Sequence, residues 1–160
     1  MIFVAVGTQK FQFNRLLREI DTLIEANHIK DTIFAQIGNS DYTPENYSYN
    51  AMMSKNDFDE KIAACDLLIT HSGVGTIVTG LRLAKPVIVV PRLKRYAEHI
   101  DDHQVQIADA FSERNLVLKC EDCKKLLYCI QEAKHHVFDS YVSGNQTVIN
   151  TIETYLDKLR

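Results

Sequence analysis

Residues 64–91 constrain this chain more than any other stretch. Two short apolar runs, Leu67–Thr70 and Val87–Val90, flank a segment with helical spacing. The first run breaks into His71-Ser72-Gly73-Val74-Gly75-Thr76, a small polar turn that opens the helix. In a parallel α/β sheet such a strand–turn–helix junction lies at the carboxyl edge, where ligands bind. A glycine-containing turn feeding a helix offers backbone N–H groups and a positive dipole end to an anion. A phosphate-bearing ligand near residues 71–76 is therefore the first expectation.

The remaining chain repeats the alternation. Ile2–Val6 is a continuous apolar run, the mark of a strand buried on both faces, and Gly7-Thr8-Gln9 ends it. From Phe13 to about Asn27, Leu16, Leu17, Ile20, Leu23 and Ile24 recur at helical spacing. Thr32–Ile37 is a second strand, which completes a β–α–β unit. The turn after the first strand lacks the G-x-G-x-x-G spacing, and no acidic residue ends the second strand, so a nicotinamide cofactor is disfavoured.

Beyond a polar stretch with a short strand at Tyr49–Met53, Asp57 reads as the N-cap of a helix through Ala64, with Glu60 completing a capping box. Asp66–Thr70 is the next strand. The helix after it should run from about Thr76 to Leu83, with Ile77, Leu81 and Ala84 inward, and stop before Pro86. Val87–Val90 follows. A charged stretch, Arg92–Gln104, then leads into a helix with Val105, Ile107, Ala108 and Phe111 on its apolar side. A strand at Leu116–Leu118 and helices at about Asp122–Lys134 and Asn145–Leu159 complete the pattern. The class is α/β: one domain over residues 1–160, a Rossmann-like parallel sheet with helices on both faces.

Composition removes several alternatives. A net charge of −3 provides no basic field for nucleic acid. The apolar runs are too short to span a bilayer, and Met1 leads into the first strand without a basic segment, so a cytoplasmic chain is expected. The basic residues Arg92, Lys94 and Arg95 are largely cancelled by Glu98, Asp101 and Asp102, which argues against direct lipid binding. Cys65 reads as core. Cys120, Cys123 and Cys129 lack a second ligand pair at zinc spacing, so they read as reduced structural thiols and no metal is expected. His135 and His136 sit at a helix end and read as structural. The 92–104 stretch mixes histidines, acids and bases at the ligand edge, and there function is favoured over a solvated face.

Three segments in this order resemble glycosyltransferase family 28: Val6-Gly7-Thr8 after the first strand, Asp66–Pro91 with His71–Thr76, and Asp102-His103-Gln104 opening the next helix. More closely, they resemble stand-alone chains that form only the C-terminal, nucleotide-sugar half of a GT-B enzyme. The run Pro91–Gln104 is similar to that of bacterial capsule and exopolysaccharide glycosyltransferase subunits.

The resemblance implies inverting transfer from a UDP-sugar, UDP-galactose ahead of UDP-GlcNAc, to a lipid-linked acceptor, with no metal or other cofactor. The acceptor site would belong to a membrane-anchored partner subunit, which would recruit this chain to the cytoplasmic face of the membrane. Gly7 and Thr8 would approach the ligand across the domain cleft, Ser72, Gly73, Val74, Gly75 and Thr76 would present donors to the diphosphate, and Gln104, with His103 beside it, would read sugar hydroxyls. Family members usually carry a ribose-binding Glu where this chain has Thr79. His71, His99 and Asp101 are the candidate bases by location, unless the partner supplies the base. Two other readings stay open: a stand-alone nucleotide-sugar enzyme, and a non-catalytic stabilising partner of a membrane glycosyltransferase.

Overall fold

A computed structural model describes residues 1–142 of the chain. Its strands are β1 (Ile2–Ala5), β2 (Ile33–Gln36), β3 (Ser48–Asn50), β4 (Leu67–Thr70), β5 (Val87–Val89) and β6 (Leu118–Lys119). Its helices are α1 (Asn14–Glu25), α2 (Lys55–Ala64), α3 (Val74–Arg82), α4 (His103–Ser112) and α5 (Leu126–Ala133). The strands form one six-stranded sheet in the order β3-β2-β1-β4-β5-β6, and every pair is parallel.

The chain thus winds outward in one direction from β1 and in the other from β4. Between those two strands the helices leave toward opposite sides, which opens a crevice at their carboxyl ends. Ala5 pairs with Thr70 there, so Gly7 and His71 emerge side by side.

Alternation along the central strands explains why their sequences are apolar throughout. Ile2 and Val4 of β1, Ile69 of β4 and Ile88 of β5 face one layer, with Leu16, Leu17 and Ile20 of α1 and Leu126 and Ile130 of α5. Phe3, Ala5, Leu68, Val87 and Val89 face the other layer, with Ile62 of α2, Ile77 and Leu81 of α3, and Ala108 and Phe111 of α4. Each fully buried large side chain contributes about 1.5–3 kcal/mol. Such burial outweighs the mediocre helix propensity of the Gly- and Thr-rich α3.

Several element ends differ from the expectation. The N-cap of α2 is Ser54, whose hydroxyl accepts from the Asp57 amide, and Asp57 sits inside the first turn. α3 starts at Val74, with Gly73 as N-cap, because the turn closes on the first residue able to enter the helix. It stops at Arg82: Ala84 is left-handed (φ 52°) and exposed rather than inward, with the Lys85 amide closing back on Gly80 O. β3 is Ser48–Asn50, displaced toward Tyr47, and β6 is Leu118–Lys119. In α4, Ala108 and Phe111 are buried, whereas Val105 and Ile107 are half-buried. The stretch from Asp122 begins as a tight 3₁₀ turn, Cys123–Lys125, before α5. The helix expected at Asn145–Leu159 lies outside the described residues.

Candidate functional site

A cleft of about 560 Å³ opens at the crevice between β1 and β4. Gly7, Thr8 and Gln9 form one wall, and His71, Gly73, Gly75, Thr76 and Thr79 form another. Gln36, Met53, Lys55, Phe58 and Asp59 complete the lining.

Its floor is set by His71, which packs against two glycines. A Cβ on Gly7 would lie 2.6 Å from the ring, and one on Gly73 would lie 2.4 Å from Nε2. Gly7 also has φ +85°, a conformation that side chains with a Cβ rarely adopt. Its backbone is clamped by the buried Gln36 carboxamide, which accepts from Gly7 N and donates to Gly7 O, both at 3.2 Å. The glycines here provide room for an imidazole, besides access for a ligand.

His71 is 9% exposed. Its Nδ1 faces Ala5 O at 3.4 Å and Thr70 Oγ1 at 3.3 Å. Burial, followed by the nearby Arg92 charge, pushes its pKa down to about 4 against the pull of Ala5 O. The ring is therefore neutral near pH 7 and a poor proton acceptor. A turn histidine anchored to backbone describes it better than a catalytic base.

The N-terminus of α3 supplies the donors. The first amides of a helix have no intrahelical partner, and Gly73 as N-cap makes no side-chain cap bond. A Cβ on Gly75 would meet nothing within 4 Å, so ligand can approach the backbone there. Thr76 and Thr79 line the same wall. Thr79 Oγ1, however, donates to Gly75 O at 2.8 Å, so its proton is committed to its own helix. Val74 is half-buried beside this wall.

Ser72 and Gln104 lie behind the turn rather than in the cleft lining. Ser72 is 1% exposed, and its hydroxyl has no partner among the described residues. Gln104 is buried, and its Oε1 accepts from Ser72 N at 3.3 Å and Arg92 N at 3.0 Å. The carboxamide thus ties the β4–α3 turn to the end of β5.

The charged stretch after β5 divides in two. Arg92 and Glu98, both read from sequence as surface charges, are 0% exposed. Arg92 donates to Phe11 O at 2.9 Å, to Glu98 O at 3.3 Å and to Val6 O. Burial brings its pKa down to about 10, with Glu98 opposing. Glu98 accepts two bonds from the Arg15 guanidinium, each 2.9 Å, and one from Leu93 N at 3.0 Å. An ion pair holding the loop to α1 replaces part of the supposed surface cancellation.

The second part is a cluster around Asp101. Its Oδ1 lies 3.0 Å from His99 Nδ1 and 3.0 Å from the His103 amide, and its Oδ2 lies 2.8 Å from His103 Nδ1. Burial works the other way, but the His103 amide and the two imidazoles hold the Asp101 carboxyl below the usual carboxylate range. Both carboxylate oxygens of Asp101 are thus engaged within the cluster. His99, Asp101 and His103 are not among the residues lining this cleft; they stand at the start of α4, next to Gln104, whose Oε1 accepts from the Ser72 amide.

The contributions of Gln36, Lys55, Phe58 and Asp59 went unread in the sequence. One signal was present: Gln36 is a lone amide ending an apolar strand. The thiols after β6 are packed, with Cys120, Cys123 and Cys129 buried and Cys123 Sγ accepting from Arg15 at 3.0 Å. Among the described residues no group of three or more His, Cys, Asp or Glu side chains is arranged to hold a metal. No described helix is long and apolar enough to cross a membrane.

Residues 1–146 match the family model of the glycosyltransferase family 28 C-terminal domain. The UDP-N-acetylglucosamine transferase subunit ALG13 of Candida albicans is 32% identical over 99 residues, covering 62% of this chain and 28% of that protein. The human protein of the same name is 27% identical over 140 residues, covering 83% of this chain and 12% of its own. The matched stretches therefore span well under half of these relatives. An NMR structure of ALG13 superposes with TM-score 0.62 at 20% identity, covering 95% of this chain and 94% of that one. The crystal structure of the glycotransferase of kitacinnamycin gives 0.59 at 16% identity, covering all of this chain and 39% of that one. These structural likenesses establish the fold: the Rossmann-like sheet of the GT-B glycosyltransferases.

Proposed function

This chain belongs to the glycosyltransferase family 28 C-terminal domain family, and we propose that it is the donor-binding, catalytic subunit of an inverting UDP-sugar glycosyltransferase. The observation that carries this reading is the uncapped N-terminus of α3 facing the cleft at the β1–β4 switch point. The diphosphate would lie against the amides of residues 73–76, with Gly7 and Thr8 opposite. When the glycosidic bond breaks, negative charge grows on the leaving diphosphate, where these preorganised donors stabilise it without a metal ion. Lys55, paired with Asp59 at 2.7 Å on the cleft lining, adds a cation that can shift toward the phosphates.

The carboxylate on the described cleft lining, Asp59, is paired with Lys55 at 2.7 Å. His71 is weakly basic, and Asp101 is occupied by two imidazoles. The acceptor's proton is thus assigned to a group on a partner subunit, which would also carry the lipid-linked acceptor and the membrane anchor. This chain would be held at the cytoplasmic face of the membrane through that partner. That relatives are named UDP-N-acetylglucosamine transferase subunits supports UDP-GlcNAc as the donor over the UDP-galactose expected from sequence. The capsular or exopolysaccharide setting rests on the Pro91–Gln104 run alone.

The test is a calorimetric titration of the chain, alone and with its partner, using UDP, UDP-GlcNAc and UDP-galactose. Binding of UDP in the micromolar range is expected, and absence of UDP binding in both forms overturns the reading. Thr79, with its hydroxyl spent on Gly75 O, favours a second reading, a non-catalytic stabilising partner. In that case Gly75→Leu, which fills the open space beside the turn, would leave the assembled enzyme's turnover unchanged.

A further inference from the structure

A second cavity, of about 450 Å³, opens on the same edge of the sheet where β5 and β6 end. None of the residues lining it lines the β1–β4 cleft. In the strand order β1-β4-β5-β6 the two openings are two inter-strand steps apart, about 10 Å at the usual spacing. The floor is apolar: Pro91 and Leu93 after β5 are buried, and Val105 on the first turn of α4 is half-buried.

Gln106, beside Val105 in the lining, is the anomaly. Its Oε1 is buried and has no hydrogen-bond partner among the described residues. An orphaned buried acceptor costs about 1–3 kcal/mol, a cost that a ligand carrying a donor removes. Lys119, at the end of β6, is held by Asp109 Oδ1 at 2.5 Å and Glu121 Oε1 at 2.6 Å. An ammonium has three N–H donors, so one is left for a ligand. At the rim, Asp102 Oδ1 accepts from the Lys94 amide at 2.9 Å, leaving its second oxygen as an acceptor, and Arg95 is exposed.

Charges of both signs around an apolar floor select the class of ligand. A phosphate would meet Asp102 and Glu121 as well as the cations, and a metal ion would meet Arg95 and Lys119. A purely apolar group would leave Gln106 unpaired, and no aromatic ring lines the cavity to stack on a nucleobase. Neutral hydroxyls suit every one of these groups, because each hydroxyl both donates and accepts. We propose that this cavity is a saccharide subsite, in which ring hydroxyls pair with Gln106, Asp102 and the remaining N–H of Lys119 while C–H groups pack on Leu93 and Val105. The site is separate from the β1–β4 cleft and does not depend on the UDP-sugar reading.

The test titrates the full-length chain with the disaccharide N-acetyllactosamine and follows ¹H–¹⁵N correlation NMR. Saturable shifts with millimolar affinity are expected at Leu93, Val105, the Gln106 side chain and Lys119, and not at Gly7, Gly73 or Gly75. Saturating UDP should leave the disaccharide affinity within about twofold, as for independent sites. Gln106→Leu should weaken the disaccharide about tenfold, one buried hydrogen bond's worth. It should not lower stability in a urea melt, because an unpaired polar atom gives way to an apolar one. Val105→Trp, which fills the floor, should abolish binding.

Absence of saturable shifts in the wild type, or shifts confined to the β1–β4 cleft, overturns the proposal. So does displacement of the disaccharide by UDP, which would make it a weak occupant of that cleft. Equal shifts at these residues with a blocked Ala-Ala dipeptide would mark a groove for peptide and overturn it too, as would unaltered affinity in both variants. If the disaccharide binds here and UDP binds nowhere, this subsite stands and the donor-site reading falls.

Discussion

A Cβ built on Gly73 would lie 2.4 Å from Nε2 of His71. The glycine and the histidine are two residues apart in sequence, and the histidine's packing requires the glycine. Gly73 has ordinary backbone angles (φ −76°, ψ 112°), so its need for glycine is steric rather than conformational.

Gly73→Ala should therefore push the His71 ring out of its seat and cost about 1–3 kcal/mol, the usual price of overpacking. UDP affinity should fall with it. His71→Ala combined with Gly73→Ala should recover most of the binding, because the clash disappears. Urea melts and UDP titrations of the three variants check this; a fully tolerated Gly73→Ala would refute the packing argument.

The depressed pKa of His71 makes a pH prediction. The folded-state value is about 4, and the unfolded value is about 6.5. Above pH 6.5 the ring is neutral in both states and stability is complete in this respect. As pH falls from 6.5 toward 4 the unfolded chain takes up a proton that the native state refuses. About 3 kcal/mol should be lost over that window. His71→Gln should flatten this part of the stability–pH curve, measured by urea unfolding between pH 7 and pH 4.

Glu98 carries the loop that follows β5. It is 0% exposed and accepts from Arg15 and from the Leu93 amide. Glu98→Ala leaves buried guanidinium charge uncompensated and should cost about 3–5 kcal/mol. The double variant Arg15→Met/Glu98→Met should be more stable than Glu98→Ala alone. Chemical denaturation of both proteins decides; a loss below about 1 kcal/mol for Glu98→Ala would mean that the pair is solvated.

Thr79 lines the cleft where the family resemblance implies a ribose-binding carboxylate, and its hydroxyl proton is committed to Gly75 O. Thr79→Ala should leave UDP affinity nearly unchanged. Thr79→Glu should raise it about tenfold through a charge-assisted hydrogen bond to a ribose hydroxyl. The gain should vanish when 2′-deoxy-UDP is the ligand. Calorimetry with the two nucleotides separates ribose reading from a general electrostatic effect, which for an added negative charge would weaken both.

The sequence by itself determined the sheet and its functional edge. Continuous apolar runs such as Ile2–Ala5 and Leu67–Thr70 can be buried only on both faces, and Gly-rich turns must follow them, so the class and the 71–76 cradle were legible from local pattern. Element ends were less so: Ser54, rather than Asp57, caps α2, since both residue types satisfy the same local rule and it is the Ser54 hydroxyl that accepts from the Asp57 amide. What only tertiary structure decided was which charged residues are on the surface. Arg92 and Glu98 read as part of a charged run at the ligand edge, yet the guanidinium finds Phe11 O and Val6 O, and the carboxylate finds Arg15, 83 residues away in sequence. The same holds for His71, whose neutral state comes from burial against Gly7, a neighbour through the β1–β4 pairing alone. Local sequence encodes backbone preference and amphipathicity; desolvation and charge pairing depend on which segments the sheet order brings together.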